Sequence, residues 1–525
     1  MRSTATAAPP LAARREWVGL AVLVLPCFLV SMDGAVLNLA VPAIVADLHP
    51  GSAQLLWIVD GYVFLVAGSL LAMGVVGDRV GRRRLLLVGV TLFCAGSLAA
   101  AFADTAALLI LARVLMGLAG ASLMPSTLAL IRGMFADPRQ RTTALGLWTA
   151  SFSLGGLLAP LLGGALLERF WWGSVFLVPL PLTMLLLALG PSVLPEFRDP
   201  DATGFDLLGG AQSLLALLAL VYALKCAAGG GDMRTAGVAT LFGILLGAVF
   251  VRRQRRAARP MIEPDLFRGH AVRVALLSNA VTFFALYGTQ VAVAQYLQWA
   301  LGLSPLRAGL WSIPSVLAYL AATAIGPAAA SRFPKVRVIE GGLLVAATGC
   351  ATLAAAGGHL AMVVAGTMVF GIGLAPVYAL STDLIVTQAR PERAGTAGAV
   401  AETSAELGGA LGIALLGALG VVVYRGAISG ATSGLPPDAV AAARRTPGDA
   451  AAVAGTLAGP GGDELLQRAH SAFEHAFATI AGAASLTLFV AVVAVTLVDL
   501  RARNDVSRWC RHCPGRPRWP GRGRR

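Results

Sequence analysis

Charged residues are scarce in this chain: they make up 13% of its 525 residues, whereas hydrophobic residues make up 57%. Soluble domains carry roughly 25% charged residues, so the composition excludes an ordinary water-soluble protein. Several apolar stretches exceed the roughly 20 residues with which a helix crosses a bilayer. The alternating segments of about ten residues that build a membrane β-barrel are absent. The sequence therefore predicts an all-α integral membrane protein.

Motifs for common enzymatic sites are also missing. The sequence contains no G-x-x-x-x-G-K-[ST] phosphate loop, so we expect no ATP site. No soluble catalytic domain, metal-ligand cluster or nucleophile cluster is apparent. Six cysteines are present, and one pair, Cys510 and Cys513, is a Cys-x-x-Cys without a partner pair, which is a weak metal or redox signal. We therefore expect no enzyme activity, no metal and no cofactor.

The formal net charge of +14 is concentrated beside apolar segments. Segment 501–525 holds nine arginines and one aspartate, and segment 252–273 holds seven arginines and two acidic residues. Basic clusters next to membrane helices set topology and contact anionic lipid. Because no base-reading motif accompanies them, membrane lipid rather than nucleic acid is the expected partner.

One short basic loop, Gly74–Arg84, holds three glycines, four arginines and one aspartate between two apolar runs. Glycine permits the tight turn that must follow a helix end, and short Arg-rich loops stay in the cytoplasm. The aspartate is either an ordinary salt-bridge partner or half of a switchable contact with another helix end. The loop resembles the signature of the major facilitator superfamily, which implies a cytoplasmic gate. The gate residues carried by this resemblance are Gly74, Asp78, Arg79, Gly81, Arg82 and Arg83.

Fourteen apolar segments can cross a membrane, and most basic loops between them fall on one side. The charge rule for short loops then places both termini in the cytoplasm. The predicted spans are 17–40, 54–76, 85–103, 106–131, 143–166, 172–194, 206–227, 236–251, 274–300, 305–329, 337–356, 360–386, 395–424 and 473–499.

The family is built from two six-helix halves with the substrate near the midplane between them. The resemblance therefore implies two six-helix halves plus two inserted central helices, with span 7 and span 8 as the insertion. We expect the C-terminal tail to be disordered. The expected organisation is an N-terminal cytoplasmic segment (1–16), an N-terminal half (17–194), a linker with the inserted helices (195–273), a C-terminal half (274–499) with an outer loop at 425–470, and a basic cytoplasmic tail (500–525).

Ionisable residues inside the spans are functional candidates, because a charge at the centre of a membrane helix costs about 2.5–3.5 kcal/mol. Asp33, Asp60 and Arg113 are expected at similar depth, in the outer half of the membrane. Arginine stays ionised and can hold one carboxylate charged while the other carries a dissociable proton. We therefore predict proton coupling at these three residues. The alternatives are a fixed structural ion pair, and Asp60 at the lipid headgroups.

Further stretches resemble the fourteen-helix branch of drug:proton antiporters within the superfamily. The run from Asp33 to Pro42 resembles its first-helix motif, and the spacing of Arg113, Gly117 and Gly120 resembles its fourth-helix motif, implicated in proton transfer. The similarity covers about residues 17–425. In the fifth span, where Ala159 replaces the usual glycine, the antiporter motif is carried by Gly146, Gly155, Pro160, Gly163 and Gly164.

Two acidic residues in span 13, Glu402 and Glu406, are spaced i,i+4 and share a helix face. One of them could recognise a cationic substrate or bind a second proton, unless Glu402 faces water at the inner mouth. Asp78 is expected to approach the start of this span, near residues 393–396, when the inner gate is shut. The residues predicted to line the substrate cavity are Asn38, Glu402, Glu406, Tyr287, Gln290, Gln295 and Tyr378.

The resemblance implies an exporter that expels small amphipathic organic compounds in exchange for protons. We expect a monomer in a bacterial plasma membrane, driven by the proton gradient, with the substrate, protons and lipid as its partners. A metabolite exporter or an importer on the same fold is the first alternative. A membrane receptor or membrane-bound enzyme is the second.

Overall fold

The computed structural model describes residues 11–50, 52–198, 207–228, 232–257, 267, 269–303, 305–390, 394–428, 440, 443–444, 447–456 and 460–512. Within these residues the chain is helical and contains no β-strand. The first part comprises α1 (Arg14–Leu23), α2 (Leu25–Leu48), α3 (Ser52–Val80), α4 (Arg82–Ala101), α5 (Ala106–Met134), α6 (Pro138–Leu167), a 3-10 helix (Trp172–Leu177) and α7 (Pro179–Val193).

Two helices follow, α8 (Leu207–Ala228) and α9 (Met233–Arg256). The remaining elements are α10 (His270–Gln295), which continues into a π-helix (Tyr296–Ala300), then α11 (Pro305–Ala322), α12 (Ile325–Ala330), α13 (Lys335–Ala354), α14 (Leu360–Gln388), α15 (Ala394–Ile428), α16 (Pro447–Thr456) and α17 (Pro460–His512).

Each predicted span coincides with one of these helices or with two consecutive ones. Among the described residues, eleven helices are long and apolar enough to cross a membrane, and Leu208–Ala223 of α8 is a shorter apolar stretch. The prediction of an all-α membrane protein is confirmed, and the count of fourteen crossings stays a prediction. Span 1 is divided at Val24, where Pro26 opens α2 near its N-terminus. Proline has no backbone N–H to donate, so it fits the first turn of a helix.

Two hydrophobic cores organise the bundle. One draws mainly on buried side chains of α1–α7, from Leu20 to Leu194, and the other on α10–α17, from Val272 to Val495. The inserted α8 packs on α3, where a Cβ added to Gly68 would lie 2.7 Å from Leu214. Leu407 of α15 packs against the small cluster shared by α3 and α8. The insertion thus lies beside the seam between the two cores.

Asp232 caps α9 from outside the helix. Its carboxylate accepts hydrogen bonds from the hydroxyl of Thr235 over 2.9 Å and from the backbone N–H of Arg234 over 3.1 Å. These bonds favour the ionised form and hold the pKa of Asp232 below its ordinary value.

Two segments expected to lack helix are partly helical. The expected outer loop 425–470 contains the end of α15, all of α16 and the start of α17. The expected disordered tail is helical as far as His512, because α17 runs unbroken for 53 residues. Alanine, leucine and arginine are strong helix formers, and Asp463 in the first turn complements the helix dipole. Residues 513–525, which include Cys513, lie outside the described residues.

Candidate functional site

A buried ion pair joins α2 to α5. Arg113 donates from Nη1 to Asp33 Oδ2 over 2.6 Å and from Nε to the carbonyl of Ile58 over 3.2 Å. The Arg113 side chain is fully buried, and that of Asp33 is 3% exposed. The structure thus brings together two of the three residues predicted for proton coupling. Removing one partner of such a pair leaves an uncompensated charge, which costs about 3–5 kcal/mol.

Tyr62 completes this cluster, although sequence reasoning did not select it. The guanidinium carbon of Arg113 lies 4.6 Å from the centre of the Tyr62 ring, within cation–π range. Close packing of α3 on α5 places the ring there. A Cβ added to Gly117 would lie 2.8 Å from the Tyr62 carbonyl oxygen, and one added to Gly120 would lie 3.1 Å from Tyr62 Oη. The spacing of Gly117 and Gly120 in the fourth-helix motif therefore leaves room for the Tyr62 side chain.

The other two polar residues predicted for these helices are only partly defined. Asn38 lies within α2 and Asp60 within α3, two residues before Tyr62. Their side chains lie outside the described part of the structure, so their proposed contacts stay predictions.

A second buried cluster surrounds Glu402 of α15. Tyr378 of α14 donates its hydroxyl to Glu402 Oε1 over 2.8 Å, and both residues are buried. The Tyr378 ring centre lies 4.8 Å from that of Phe283 and 6.3 Å from that of Trp148. Tyr287 extends the aromatic set, 5.5 Å from Phe283. The cluster combines a carboxyl group with aromatic rings in edge-to-face and tilted contacts, a chemistry suited to an organic cation.

Glu406 lies one helical turn beyond Glu402 and is half-buried. The next residue, Leu407, packs against the small cluster shared by α3 and α8, so this part of α15 lies at the seam between the two cores.

The two glutamines predicted for the cavity are not part of this cluster. Gln290 and Gln295 of α10 are both exposed. Among the described residues, neither glutamine side chain forms a hydrogen bond with Glu402 or Glu406. Their contribution to substrate binding stays a prediction.

The Gly74–Arg84 loop is largely helical, because α3 continues past residue 76, where the second predicted span ends. The helix α3 continues to Val80, and Gly81, at φ 113°, is the residue between α3 and α4. This left-handed conformation favours glycine. A Cβ there would also lie 2.5 Å from Glu196 Oε1, which accepts a hydrogen bond from the backbone N–H of Arg83 over 3.0 Å.

Asp78 joins this turn to the start of α15. Its Oδ2 accepts hydrogen bonds from the Thr396 hydroxyl over 2.7 Å and from the Thr396 backbone N–H over 3.3 Å. Arg82 forms an ion pair with Asp78 and donates to the carbonyl of Gly74 over 2.9 Å. A Cβ added to Gly395 would overlap the Arg82 guanidinium. Arg79 lies in the last turn of α3 and is half-buried.

A further set of ion pairs between helices, which the sequence analysis did not predict, is centred on Asp383 of α14. The Asp383 side chain is fully buried. Arg141 of α6 donates to Asp383 Oδ1 over 3.0 Å, and Lys335 pairs with Oδ2. Arg132 of α5 donates to the carbonyl of Ala389 over 2.6 Å, just beyond α14. This part of the bundle contains Arg82, Arg132, Arg141 and Lys335, and we call it the basic end. Ion pairs and hydrogen bonds of these side chains hold the two cores together here.

Comparison with known proteins identifies the family. The sequence profile described as Major Facilitator Superfamily matches residues 23–259. The multidrug efflux pump LfrA of Mycolicibacterium smegmatis is 41% identical over 483 residues, covering 92% of this chain and 96% of that protein. The chain belongs to the major facilitator superfamily. It is accordingly a multi-pass membrane transporter.

Other relatives of this transporter match over nearly their whole length. The methyl viologen resistance protein SmvA of Salmonella typhimurium is 35% identical over 483 residues, covering 91% of this chain and 97% of that protein. The tetracenomycin C resistance and export protein of Streptomyces glaucescens is 32% identical over 514 residues, covering 94% and 93%. The crystal structure of the human organic anion transporter MFSD10 aligns with a TM-score of 0.60 at 16% identity, covering 90% of this chain and 99% of that chain. The last likeness shows the fold alone.

The glycines predicted for the antiporter motif lie on α6 of this superfamily member. A Cβ added to Gly155 would lie 2.6 Å from the carbonyl oxygen of Phe28, so this glycine allows α6 to approach α2. A Cβ added to Gly146 would lie 3.2 Å from the carbonyl oxygen of Thr323, on the other side of the seam. Gly163 is buried, and a Cβ at Gly164 would meet nothing within 4 Å. The side chain of Pro160 lies outside the described residues.

Proposed function

We propose that this transporter exports small amphipathic organic compounds across a bacterial plasma membrane in exchange for protons, by alternating access. The observation that carries the proposal is the buried ion pair of Asp33 and Arg113, joined at 2.6 Å. Relatives named for multidrug efflux and for tetracenomycin C resistance and export support the direction of transport. No cofactor is needed, and a monomer with both termini in the cytoplasm suffices.

Protonation of Asp33 has a defined effect on the ion pair with Arg113. While Asp33 is ionised, Arg113 holds it, and each charge compensates the other in a medium of low dielectric constant. A proton arriving at Asp33 neutralises the carboxylate and leaves the guanidinium without its counter-charge. Because an unpaired buried charge is costly, protonation destabilises the arrangement of α2 and α5 seen here. Rearrangement of the two halves can then relieve this cost.

One proton per cycle supplies enough free energy. A membrane potential of about 100 mV contributes about 2.3 kcal/mol for each elementary charge moved. Concentrating a neutral solute tenfold costs about 1.4 kcal/mol. For a neutral substrate, one proton can therefore drive roughly tenfold export without ATP. Exchange of one proton for one monovalent cation moves no net charge, so the pH difference alone drives it.

The substrate site in this proposal is the aromatic cluster around Glu402, with Glu406 one turn away. A planar organic cation can stack on Tyr378 and Phe283 while a carboxylate balances its charge. A relative at 35% identity is named for resistance to methyl viologen, which is such a cation. A substrate bound at these glutamates and a proton bound at Asp33 then favour opposite conformations of the transporter, as a substrate–proton exchanger requires.

The contacts at the basic end form the inner gate. Asp78 accepts from the first turn of α15, where the helix dipole contributes about 0.3–1 kcal/mol. The contact between Asp78 and the first turn of α15 is therefore weak enough to break in every cycle. The ion pairs of Asp383 with Arg141 and Lys335 close the same end of the bundle, with Asp383 in the C-terminal half. The arrangement described here is then the state closed toward the cytoplasm.

Ethidium exchange in proteoliposomes tests the proposal. Vesicles with the purified transporter, loaded with acidic buffer, are diluted into alkaline buffer containing ethidium. We expect ethidium to accumulate inside as protons leave, because the exchange runs in either orientation of the protein. A protonophore should abolish the accumulation. Accumulation that is the same with and without the proton gradient would contradict proton coupling.

Replacing Tyr378 by Phe tests the role of Glu402 in substrate binding. The variant keeps the ring and removes the hydroxyl that donates to Glu402, a hydrogen bond whose net contribution is about 0.5–1.5 kcal/mol. We expect the dissociation constant of ethidium to rise by up to roughly tenfold, measured by fluorescence titration. Tyr424→Phe is the matched control, because its hydroxyl donates to the carbonyl of Ala443 instead. Equal losses in both variants would contradict the assignment.

A further inference from the structure

The inserted helices α8 and α9 take no part in the mechanism above, although they pack closely on α3. A Cβ added to Gly68 of α3 would lie 2.7 Å from Leu214 Cδ1 and 3.2 Å from Leu218 Cγ, both on α8. A Cβ added to Gly243 of α9 would lie 3.0 Å from the carbonyl oxygen of Ala216, on α8. These close approaches make α8 and α9 one packed unit on the surface of α3.

At the basic end, α3 and α15 contact each other directly. A Cβ added to Gly74 of α3 would lie 2.8 Å from Ala399 Cβ and 3.0 Å from the carbonyl oxygen of Gly395, both on α15. No further side chain fits between the two helices here. Phe250 of α9 packs against Val75 of α3 beside this contact, so the inserted pair is attached next to the closed end of the seam.

Further toward the outer side, α8 packs where α3 and α15 meet. Leu65 of α3 and Val221 of α8 form a small buried cluster, and Leu407 of α15 packs against it. A helix rises about 1.5 Å per residue, so Leu65 lies about 14 Å along α3 from Gly74. By the same measure, Leu407 lies about 12 Å along α15 from Ala399. The two leucines are therefore at similar height, and α8 closes the seam at that height.

This cluster lies at the depth of the ionisable residues. Val114 and Leu118 of α5 also pack against it, and Val114 directly follows Arg113 in the sequence. Leu407 directly follows Glu406. The outer member of the pair, α9, is largely exposed and apolar, as expected of a helix that contacts lipid. The inserted pair thus lies between the bilayer and the seam beside these two residues.

We propose that the α8–α9 pair is a wall of the substrate cavity, which closes the seam between α3 and α15 against lipid acyl chains at the depth of Glu406. This inference rests on the proposed substrate site at Glu402 and Glu406. Acyl chains are as apolar as leucine, so close packing, and not the hydrophobic effect, keeps them out of a gap between membrane helices. An open seam would let an amphipathic substrate pass between cavity and bilayer without a transport cycle.

Photolabelling from the bilayer tests this role in the purified full-length transporter. The vesicles contain a phosphatidylcholine with a diazirine in one acyl chain, and mass spectrometry locates the labelled residues. Exposed Leu415 of α15 should be labelled strongly, whereas Leu407 on the same helix should stay near background. Leu218→Ala combined with Val221→Ala thins the wall, so labelling at Leu407 should rise to at least half of that at Leu415. Strong labelling of Leu407 in the native protein would overturn the proposal.

Two further variants make the result specific. Leu215→Ala removes the same side chain from an exposed position of α8 and should leave Leu407 near background. Leu218→Ala alone removes less packing and should give a smaller rise, which a loss of folding in the double variant would not obscure. The proposal is wrong if labelling of Leu407 stays unchanged in the single and double variants, or if Leu215→Ala raises it equally. The labelling uses neither substrate nor proton gradient, so it can fail while ethidium exchange succeeds, which separates this inference from the proposed function.

Discussion

Replacing Arg113 by Ala is expected to abolish proton-driven efflux and to destabilise the transporter by about 3–5 kcal/mol. The reason is that Asp33 would remain buried without its counter-charge, and that the hydrogen bond to Ile58 would also be lost. Resistance of bacterial cells to methyl viologen reports the activity. The melting temperature of the purified protein reports the stability. The variant should protect cells no better than an empty vector.

A double variant separates the structural from the functional part of this effect. Asp33→Asn combined with Arg113→Ala removes both charges, so no buried charge is left unpaired. Stability should recover relative to Arg113→Ala alone, whereas resistance should not return. Recovery of resistance in the double variant would mean that the pair is a structural element without a role in coupling.

Gly395→Leu is expected to hold the basic end open. A side chain at this position overlaps the Arg82 guanidinium, which the closed arrangement places against α15. Overpacking of this kind costs about 1–3 kcal/mol, and the two halves can relieve it by separating. A cysteine introduced at Thr403, a buried residue two turns further along α15, reports the opening. In inside-out membranes, its labelling by an impermeant maleimide should accelerate by roughly tenfold.

Gly417→Leu is the matched control on the same helix. A Cβ at Gly417 meets nothing within 4 Å, so the added side chain should fit without displacing a neighbour. Labelling at position 403 should then stay at its original rate, in a background whose native cysteines have been replaced. If Gly395→Leu also left labelling unchanged, the contacts at the basic end would not form the inner gate.

The fold could be predicted where hydrophobic length alone decides it. Each predicted span coincides with helical chain because an apolar segment in a bilayer must satisfy its own backbone hydrogen bonds. The errors concern the helix ends outside the membrane, because a segment in water can be helical or non-helical. The helix α3 extends through charged Asp78 and Arg79 to Val80, and α17 begins at Pro460, before its apolar part. Hydrophobicity does not mark such ends, which depend on helix propensity and on a terminator such as Gly81.

The site could be predicted only where a residue is unusual for its surroundings. Asp33 and Arg113 are charges in apolar runs, and that cost makes each of them visible in the sequence. Tyr62 has no such signal, because an aromatic residue in a membrane helix is ordinary. Its position depends on the approach of α3 to α5 at Gly117. Asp383 carries the same signal as Asp33, a charge inside predicted span 360–386, but it lies near the end of that span, and its partners Arg141 and Lys335 come from other helices.

Proton release on substrate binding tests the central claim most directly. The purified transporter is mixed with ethidium in a weakly buffered solution, and an indicator dye reports the protons released. If the proton carried by Asp33 exchanges for substrate, the native protein should release protons and Asp33→Asn should release markedly fewer. Equal release by the two proteins, with equal ethidium binding, would contradict the account.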